Sequence, residues 1–133
     1  MSSNLRAATV LFDGTETINN AVGADSKAAT PGPADDVAVL VENTGAQSAT
    51  LTFQAAANDG KLAAGRNPDF AAISWYDMID KADVANASKI QLVVAAGAKL
   101  ALDLSPFAPP YFRVHAVAAA GTTTLKAYLV ANG

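Results

Sequence analysis

The 133-residue chain contains no cysteine, one histidine and one tryptophan. Without cysteine it can form neither disulfide bonds nor thiolate metal sites, so its stability must come from packing. With a single histidine, any catalytic arrangement that uses an imidazole has to be built around His115. These absences narrow the chemistry available to the protein before any motif is considered.

Positive charge is also scarce, with 9 Lys and Arg residues against 12 Asp and Glu residues. The basic residues are scattered and form no run that could follow a phosphate backbone, so we expect no nucleic-acid partner. No apolar run approaches the ~20 residues that a membrane-spanning helix needs, and the N-terminus lacks the pattern of a secretory signal. We therefore expect a soluble chain with no membrane partner.

Large apolar side chains are fewer than the composition suggests. The hydrophobic fraction is 51%, but 31 of the 133 residues are alanine. A chain of this length most simply forms one domain, which can bury roughly two-thirds of its unfolded surface. We expect residues 1–133 to form a single domain with a thin core.

Alternation of apolar and polar residues is the dominant pattern, and it is clearest between Tyr111 and Val130. Two alternating runs there flank Ala120-Gly121, which predicts a β-hairpin. The predicted register gives one apolar face, with the pairs Phe112–Leu129, Val114–Ala127 and Ala116–Leu125, and one polar face, with the pairs Arg113–Tyr128 and His115–Lys126.

Further alternating segments predict more strands. Residues 37–43 and 48–56 suggest a second hairpin through Asn43-Thr44-Gly45, and residues 90–95 turn through Ala96-Gly97 into 99–104. Residues 5–12 predict a first strand with Ala8, Val10 and Phe12 on one face. About seven to eight short strands with turns between them predict an all-β fold, an antiparallel β-sandwich of Ig-like or jelly-roll-like type.

Three segments lack this alternation. Residues 19–36 are mostly small and predict an extended arm or loop, which in an assembling protein could lie along a neighbour. Residues 59–88 form an irregular insertion between strands, in which 77–87 is compatible with a short helix. The proline-rich segment 105–110 predicts a rigid, non-helical crossover into the closing hairpin.

No motif in the chain points to catalysis. His115 is not accompanied by a G-x-S-x-G nucleophile elbow, and no phosphate-binding or dinucleotide-binding glycine motif occurs. Asp77, Asp80 and Asp83 lack the spacing and the glycine of a calcium loop, so they are better interpreted as solvated residues. We expect no enzymatic activity, no cofactor and no metal site.

Aromatic and basic residues are the best candidates for binding, because Trp, Tyr and Arg are common anchors of protein interfaces. Arg113 and Tyr128 could stack across the predicted hairpin as a cation-π pair, with His115 and Lys126 beside them. Tyr76 lies in the irregular insertion, next to Trp75, for which a core position is favoured. The candidate protein-interaction residues are Tyr76, Arg113, His115, Lys126 and Tyr128.

The order of these features is similar to that of a known class of protein. VLVENTGAQSATLTFQAAANDG, a following Trp, KLALDL, a proline-rich turn, YFRVHA and a Gly-Thr turn into LKAYLV together resemble small β-sandwich virion proteins of tailed bacteriophages. The resemblance extends from Val37 to Val130, although residues 60–90 depart from the compact pattern. Among such proteins are capsid decoration (cement) proteins, head spikes and tail modules.

The resemblance implies a non-enzymatic capsid decoration protein that stabilises the phage head. Its partners would be the major capsid protein and copies of itself, in a trimer or other ring, and it would reach the outer capsid surface after synthesis in the host cytoplasm. One alternative is a carbohydrate- or receptor-binding module of a tail or spike, for which Trp75, Tyr76 and Tyr111 could provide an aromatic platform. Another alternative is a head-tail connector or tail component.

Overall fold

The computed structural model describes residues 7–31, 36–56, 74–104 and 110–132. The helical element in this part of the chain is a short 3-10 helix, Lys81–Asn86. Everything else of regular structure is β. In chain order the strands are β1 (Ala7–Asp13), β2 (Ile18–Asn19), β3 (Ala24–Asp25), β4 (Asp36–Asn43), β5 (Ala49–Ala56), β6 (Tyr76–Asp77), β7 (Gln91–Val94), β8 (Lys99–Asp103), β9 (Tyr111–Ala118), β10 (Thr122–Thr123) and β11 (Leu125–Asn132).

These strands form two main antiparallel sheets. A four-stranded sheet has the order β1-β11-β4-β8, and a five-stranded sheet has the order β3-β9-β5-β6, with β7 also paired to β5. The short strands β2 and β10 pair with each other. The predicted all-β, antiparallel sandwich is confirmed, and seven of its strands have four residues or more.

The core lies between the inner faces of the two sheets. Val39 and Leu129 from the four-stranded sheet and Leu51, Phe53 and Val114 from the five-stranded sheet are all at most 1% exposed. The rings of Phe53 and Phe112 stack at 6.0 Å. The inward and outward positions predicted for β9 and β11 are confirmed, because a period of two is strictly enforced where one face is buried.

The predicted pairing of these strands is wrong. β9 pairs with β5 and β3, whereas β11 pairs with β1 and β4, so the two strands belong to opposite sheets. The same is true of β4 and β5, and of β7 and β8. Each of the three short connections is an arch that carries the chain from one sheet to the other. An arch lets both apolar faces point into the core without any hydrogen bond between the two strands.

The three arches meet around the side chain of Asn43, which is 1% exposed. Its Nδ2 donates to the carbonyls of Gln47 and Val94, at 2.8 and 2.9 Å. Its Oδ1 accepts from the backbone N–H of Gly45 and from the hydroxyl of Thr123. A carboxamide has two donors and two acceptor sites, so Asn43 uses its full hydrogen-bonding capacity.

In β1, the residues that share a face differ from those predicted. A register shift between Val10 and Phe12 places Leu11 and Phe12 both in the core, at 1% exposure each. Val10 is 41% exposed and lies on the outer face of the four-stranded sheet. A β-bulge of this kind breaks the alternation that the sequence pattern assumes.

The predicted arm is part of the sandwich over its described length. β3 pairs Ala24 with Ala116 and Asp25 with His115 of β9, and Ala29 forms a bridge to Phe112. The turn before β3 is held by Asn19, whose Oδ1 accepts from three successive backbone N–H groups. This segment therefore closes the edge of the five-stranded sheet on its own chain. Residues 32–35 lie outside the described part.

The predicted insertion is described from residue 74 onward. It contains β6 and the 3-10 helix, which is shorter than the predicted helix at 77–87 and is interrupted by non-helical backbone at Asp83. Asp80 caps this helix by accepting from the N–H of Ala82. Residues 57–73 and the proline-rich residues 105–109 lie outside the described part.

Candidate functional site

The outer face of the five-stranded sheet brings together several polar side chains that contact one another. The antiparallel register places Arg113 of β9 opposite Gln54 of β5, and His115 opposite Thr52. These residues point away from the core because their neighbours in the strands are buried. The face is therefore built by the same alternation that builds the core.

Arg113 is fixed in the middle of this face. Its guanidinium carbon lies 4.4 Å from the centre of the Trp75 ring, within the range of a cation-π contact. Its Nε donates to Oε1 of Gln54 at 2.7 Å, and its Nη1 lies 3.5 Å from Oδ2 of Asp25. The side chain is only 23% exposed. The guanidinium is thus held in one orientation by a ring, an amide and a carboxylate.

Trp75 lies on the outside of the sheet, directly before β6. It packs against Ala56 and Tyr111, which form a small apolar cluster of their own at 2% and 6% exposure. Asp77, two residues further along β6, pairs with Gln54 on the same face. The favoured core position of Trp75 is therefore wrong: its ring covers the outer surface of the sheet beneath Arg113.

Contacts of two carboxylates, Asp25 and Asp77, extend the cluster to both sides. Oδ1 of Asp25 in β3 lies 2.7 Å from Nδ1 of His115, within hydrogen-bonding distance. On the other side, Nε2 of Gln54 donates to Oδ1 of Asp77 at 2.8 Å, and Nζ of Lys89 lies 2.8 Å from Oδ2 of Asp77. We call this set the Arg113 network, and its members are Asp25, Gln54, Trp75, Asp77, Lys89, Arg113 and His115.

The contacts of Asp77 within the network favour its ionised form. The ammonium group of Lys89, followed by the amide of Gln54, holds the pKa of Asp77 below its ordinary value of 3.8. Hydrogen bonds to a carboxylate stabilise its charged form, so Asp77 remains an acceptor at neutral pH. Along the network, Lys89 and Asp77 form one pair of opposite charges, Arg113 and Asp25 form another, and the neutral amide of Gln54 connects the two pairs.

The network is suited to recognising a surface. It offers a partly covered indole ring, guanidinium and imidazole N–H groups, and carboxylates whose positions are fixed by one another. Within the described ranges, no hydrogen bond links His115 to a hydroxyl group, and no group of three or more His, Cys, Asp or Glu residues could hold a metal ion. No helix in these ranges is long and apolar enough to cross a membrane.

The predicted interaction residues do not lie on one surface. Arg113 and His115 belong to the network, but Lys126 and Tyr128 are on β11, on the outer face of the opposite sheet. The predicted cation-π pair of Arg113 with Tyr128 is wrong, and the partner of Arg113 is Trp75. The error follows from treating β9 and β11 as a hairpin.

Tyr76 occupies a third position. It is 65% exposed and lines an open cleft of about 820 Å³ at one edge of the sandwich. Met78, Leu102 and Leu104 contribute apolar surface to the same cleft. Tyr76 pairs with Ala55 and so points to the opposite side of the sheet from Trp75 and Asp77.

Some members of the network were not among the predicted site residues. Gln54 lies on the outward face of β5, as Thr50 and Thr52 do, and nothing in the sequence singles it out from them. Asp25 lies in the segment interpreted as an arm, so its contact with His115, 90 positions later, had no sequence signal. Asp77 lies in the segment interpreted as an insertion, so its contacts with Gln54 and Lys89 had no sequence signal either.

Comparison with known proteins adds little to this picture. No protein-family model matches the chain, and no curated protein matches it. Among solved structures, the crystal structure of PirA is similar to this chain, with 13% sequence identity, a TM-score of 0.44, and coverage of 100% of this chain and 97% of that chain. A likeness at this level indicates no function.

Proposed function

We propose that this protein is a non-enzymatic structural protein of a tailed-phage virion, and that it decorates the outer surface of the capsid. The observation that carries the proposal is the Arg113–Trp75 stack at 4.4 Å on the outer face of a sheet. Arg and Trp are enriched among the residues that dominate binding energy at protein interfaces. The resemblance of residues 37–130 to phage sandwich proteins supplies the identity of the partner, the major capsid protein.

The fixed orientation of Arg113 favours docking. A free arginine loses much of its rotamer freedom when it is immobilised at an interface, at a cost of about 0.5–1.5 kcal/mol. Gln54, Asp25 and Trp75 already hold this side chain before any partner arrives. The matching capsid surface would supply carbonyl or carboxylate acceptors to the remaining guanidinium and imidazole N–H groups.

The proposed mechanism is additive stabilisation. Each bound copy favours the assembled capsid over its dissociated subunits by the free energy of its contacts, and many copies together raise the temperature and pressure that the head withstands. A trimer or other ring on a symmetry axis would let each decoration unit contact several capsid subunits.

A binding experiment with capsids that lack the protein tests this proposal. Wild-type protein should bind such capsids and raise their melting temperature. Arg113→Lys keeps the charge but loses the planar fork that bonds Gln54 and stacks on Trp75, so it should bind at least about tenfold more weakly. Lys81→Ala, which removes an exposed cation outside the network, is the matched control and should bind like the wild type.

Two results would overturn the proposal. One is failure of the wild-type protein to bind capsids with empty sites. The other is normal thermal and pressure resistance of particles that lack it.

A carbohydrate-binding module of a tail or spike is the second candidate. It is favoured by the position of Trp75, whose ring lies on the face that also carries the amide of Gln54 and the carboxylate of Asp77. Aromatic rings flanked by amides and carboxylates suit the apolar faces and hydroxyl groups of sugars. Glycan-array binding that is abolished by Trp75→Ala, with unchanged circular dichroism, would place this candidate first.

A further inference from the structure

The outer face of the four-stranded sheet carries a regular pattern that the proposed function does not use. Residues that pair directly across neighbouring strands form rows, and each row crosses all four strands in the order β1, β11, β4, β8. Three such rows cover the face. The first row is Asp13, Lys126, Glu42 and Lys99; the second is Val10, Tyr128, Leu40 and Ala101; the third is Ala8, Val130, Ala38 and Asp103.

The middle of this face is apolar and accessible. Val10 is 41% exposed and Leu40 is 40% exposed, and Tyr128 lies between them in the second row. Together with the alanines and Val130 of the third row, they form a continuous apolar surface across the sheet. Contiguous apolar surface of this kind is typical of an interaction site.

The first row bounds this surface with charges of alternating sign. Read across the sheet it runs negative, positive, negative, positive, from Asp13 to Lys99. Such a row has the property that reversing its order exchanges every sign. It is therefore complementary to a reversed copy of itself.

We propose that this face binds the same face of a second copy of the chain, through a two-fold axis that runs parallel to the strands. That rotation leaves each row at the same position along the strands and reverses the order of its four residues across the sheet. Lys126 then meets Glu42 of the second copy, Asp13 meets Lys99, and Tyr128 meets Leu40. Each pairing occurs twice, as in any isologous two-fold interface.

The geometry agrees with known sheet packing. Two sheets pack face to face with their strands within about 30° of alignment, at a separation of about 10 Å. A two-fold axis along the strands gives this aligned arrangement. The charged row lies at one end of the face, so its ion pairs form at the rim, while the second row meets its copy in the centre. Asp103 of the third row lies on the edge strand β8.

The size of the face predicts a weak dimer. Four strands about 4.8 Å apart and three rows about 6.7 Å apart give a surface roughly 20 Å square. Two copies then bury on the order of 1,000 Å² in total, below the range of permanent interfaces. The dimer should therefore form at concentrations above about 10 μM, and it is a different contact from the ring proposed on the capsid.

Sedimentation velocity between about 10 μM and about 1 mM tests the proposal. The wild-type protein should shift from monomer towards dimer over this range. Lys126→Glu and Glu42→Lys each place like charges opposite each other twice per dimer, so each variant alone should dimerise at least about tenfold more weakly.

Mixing the two variants separates an intermolecular effect from a change within each monomer. In a heterodimer of Lys126→Glu with Glu42→Lys, every charge of the first row again meets its opposite, so the equimolar mixture should recover dimer to within about threefold of the wild type. A variant that had simply lost its fold could not be rescued in this way. Thermal melts of each variant show that both are folded.

A second pair of variants tests the apolar centre. Leu40→Lys should abolish dimerisation, whereas Val93→Lys should not, because Val93 is 63% exposed on the outer face of the other sheet. The proposal is overturned if the wild-type protein stays monomeric to about 1 mM, if the mixture is no more dimeric than its components, or if the face is found bound to the capsid protein instead.

Discussion

The hydroxyl of Thr123 donates a hydrogen bond of 2.8 Å to Oδ1 of Asn43, which lies 80 residues earlier in the chain. Thr123 belongs to the arch between β9 and β11, and Asn43 ends β4 and starts the arch to β5. The Nδ2 group of Asn43 reaches the carbonyl of Val94, where the third arch begins. One carboxamide thus joins all three crossings between the sheets, and it fixes how the two sheets are aligned at this end.

Replacing Asn43 should destabilise the fold strongly. In Asn43→Ala the carbonyl of Val94 and the N–H of Gly45 lose their buried partner, and an unsatisfied buried group costs about 1–3 kcal/mol. We expect the free energy of unfolding in urea to fall by roughly 3 kcal/mol or more. Asn20→Ala, at an exposed position, is the control and should change it by less than about 0.5 kcal/mol. Similar stabilities for the two variants would contradict the role assigned to Asn43.

Gly45 should be intolerant of a side chain because of its neighbours. A Cβ atom at this position would collide with the hydroxyl of Thr123 and lie 2.6 Å from the backbone nitrogen of Thr124. Gly97, by comparison, has no atom within 4 Å of its Cβ position, although its φ of +79° disfavours alanine. Gly97→Ala should cost about 1–2 kcal/mol from backbone strain alone. Gly45→Ala should lower the melting temperature further, and equal losses would show that the arches do not pack as described.

The sequence pattern could predict the faces of the strands but not their partners. Leu51 and Phe53, or Val114 and Ala116, alternate with polar residues because one side of each strand is buried, and that holds whichever strand lies alongside. A short connection containing Gly45, Gly97 or Gly121 fits an arch as well as a hairpin. The pairing of each strand with partners far away in the chain distinguishes the two, and no local pattern encodes that pairing.

For the candidate site, too, the sequence could predict which residues point outward but not which residues they contact. Arg113 and His115 were found because their outward positions follow from the alternation of β9. Their partners Trp75 and Asp25 come from segments without periodicity, so neither the stack nor the ion pair could be inferred. The bulge between Val10 and Phe12 hid the outer face of the four-stranded sheet in the same way, because it places Val10 and Phe12 on opposite faces although the alternation predicts that they share one.

The acid stability of the protein should depend on Asp77. Because its pKa in the folded state lies below the ordinary 3.8, the contacts with Lys89 and Gln54 stabilise the fold above about pH 4 and lose this effect as the pH falls through the folded pKa. Lys89→Ala removes the largest cause of the shift. An NMR titration of the Asp77 carboxyl should then show a higher pKa, whereas Lys81→Ala should leave it unchanged. An unaltered titration in Lys89→Ala would contradict the described ion pair.

The single Trp75 provides a direct optical probe of the Arg113 network. Arg113→Lys should change its emission, because the guanidinium no longer stacks on the ring at 4.4 Å. Tyr128→Phe should leave the emission unchanged, since Tyr128 lies on the opposite sheet. The reverse outcome, with Tyr128 affecting Trp75 and Arg113 having no effect, would argue against the described face.

An electron cryomicroscopy reconstruction of capsids incubated with the wild-type protein tests the central claim most directly. The account predicts density for the sandwich on the outer capsid surface, with Trp75 and Arg113 turned towards the major capsid protein. Absence of bound density at saturating protein, or a bound sandwich whose five-stranded sheet faces away from the capsid, would contradict it.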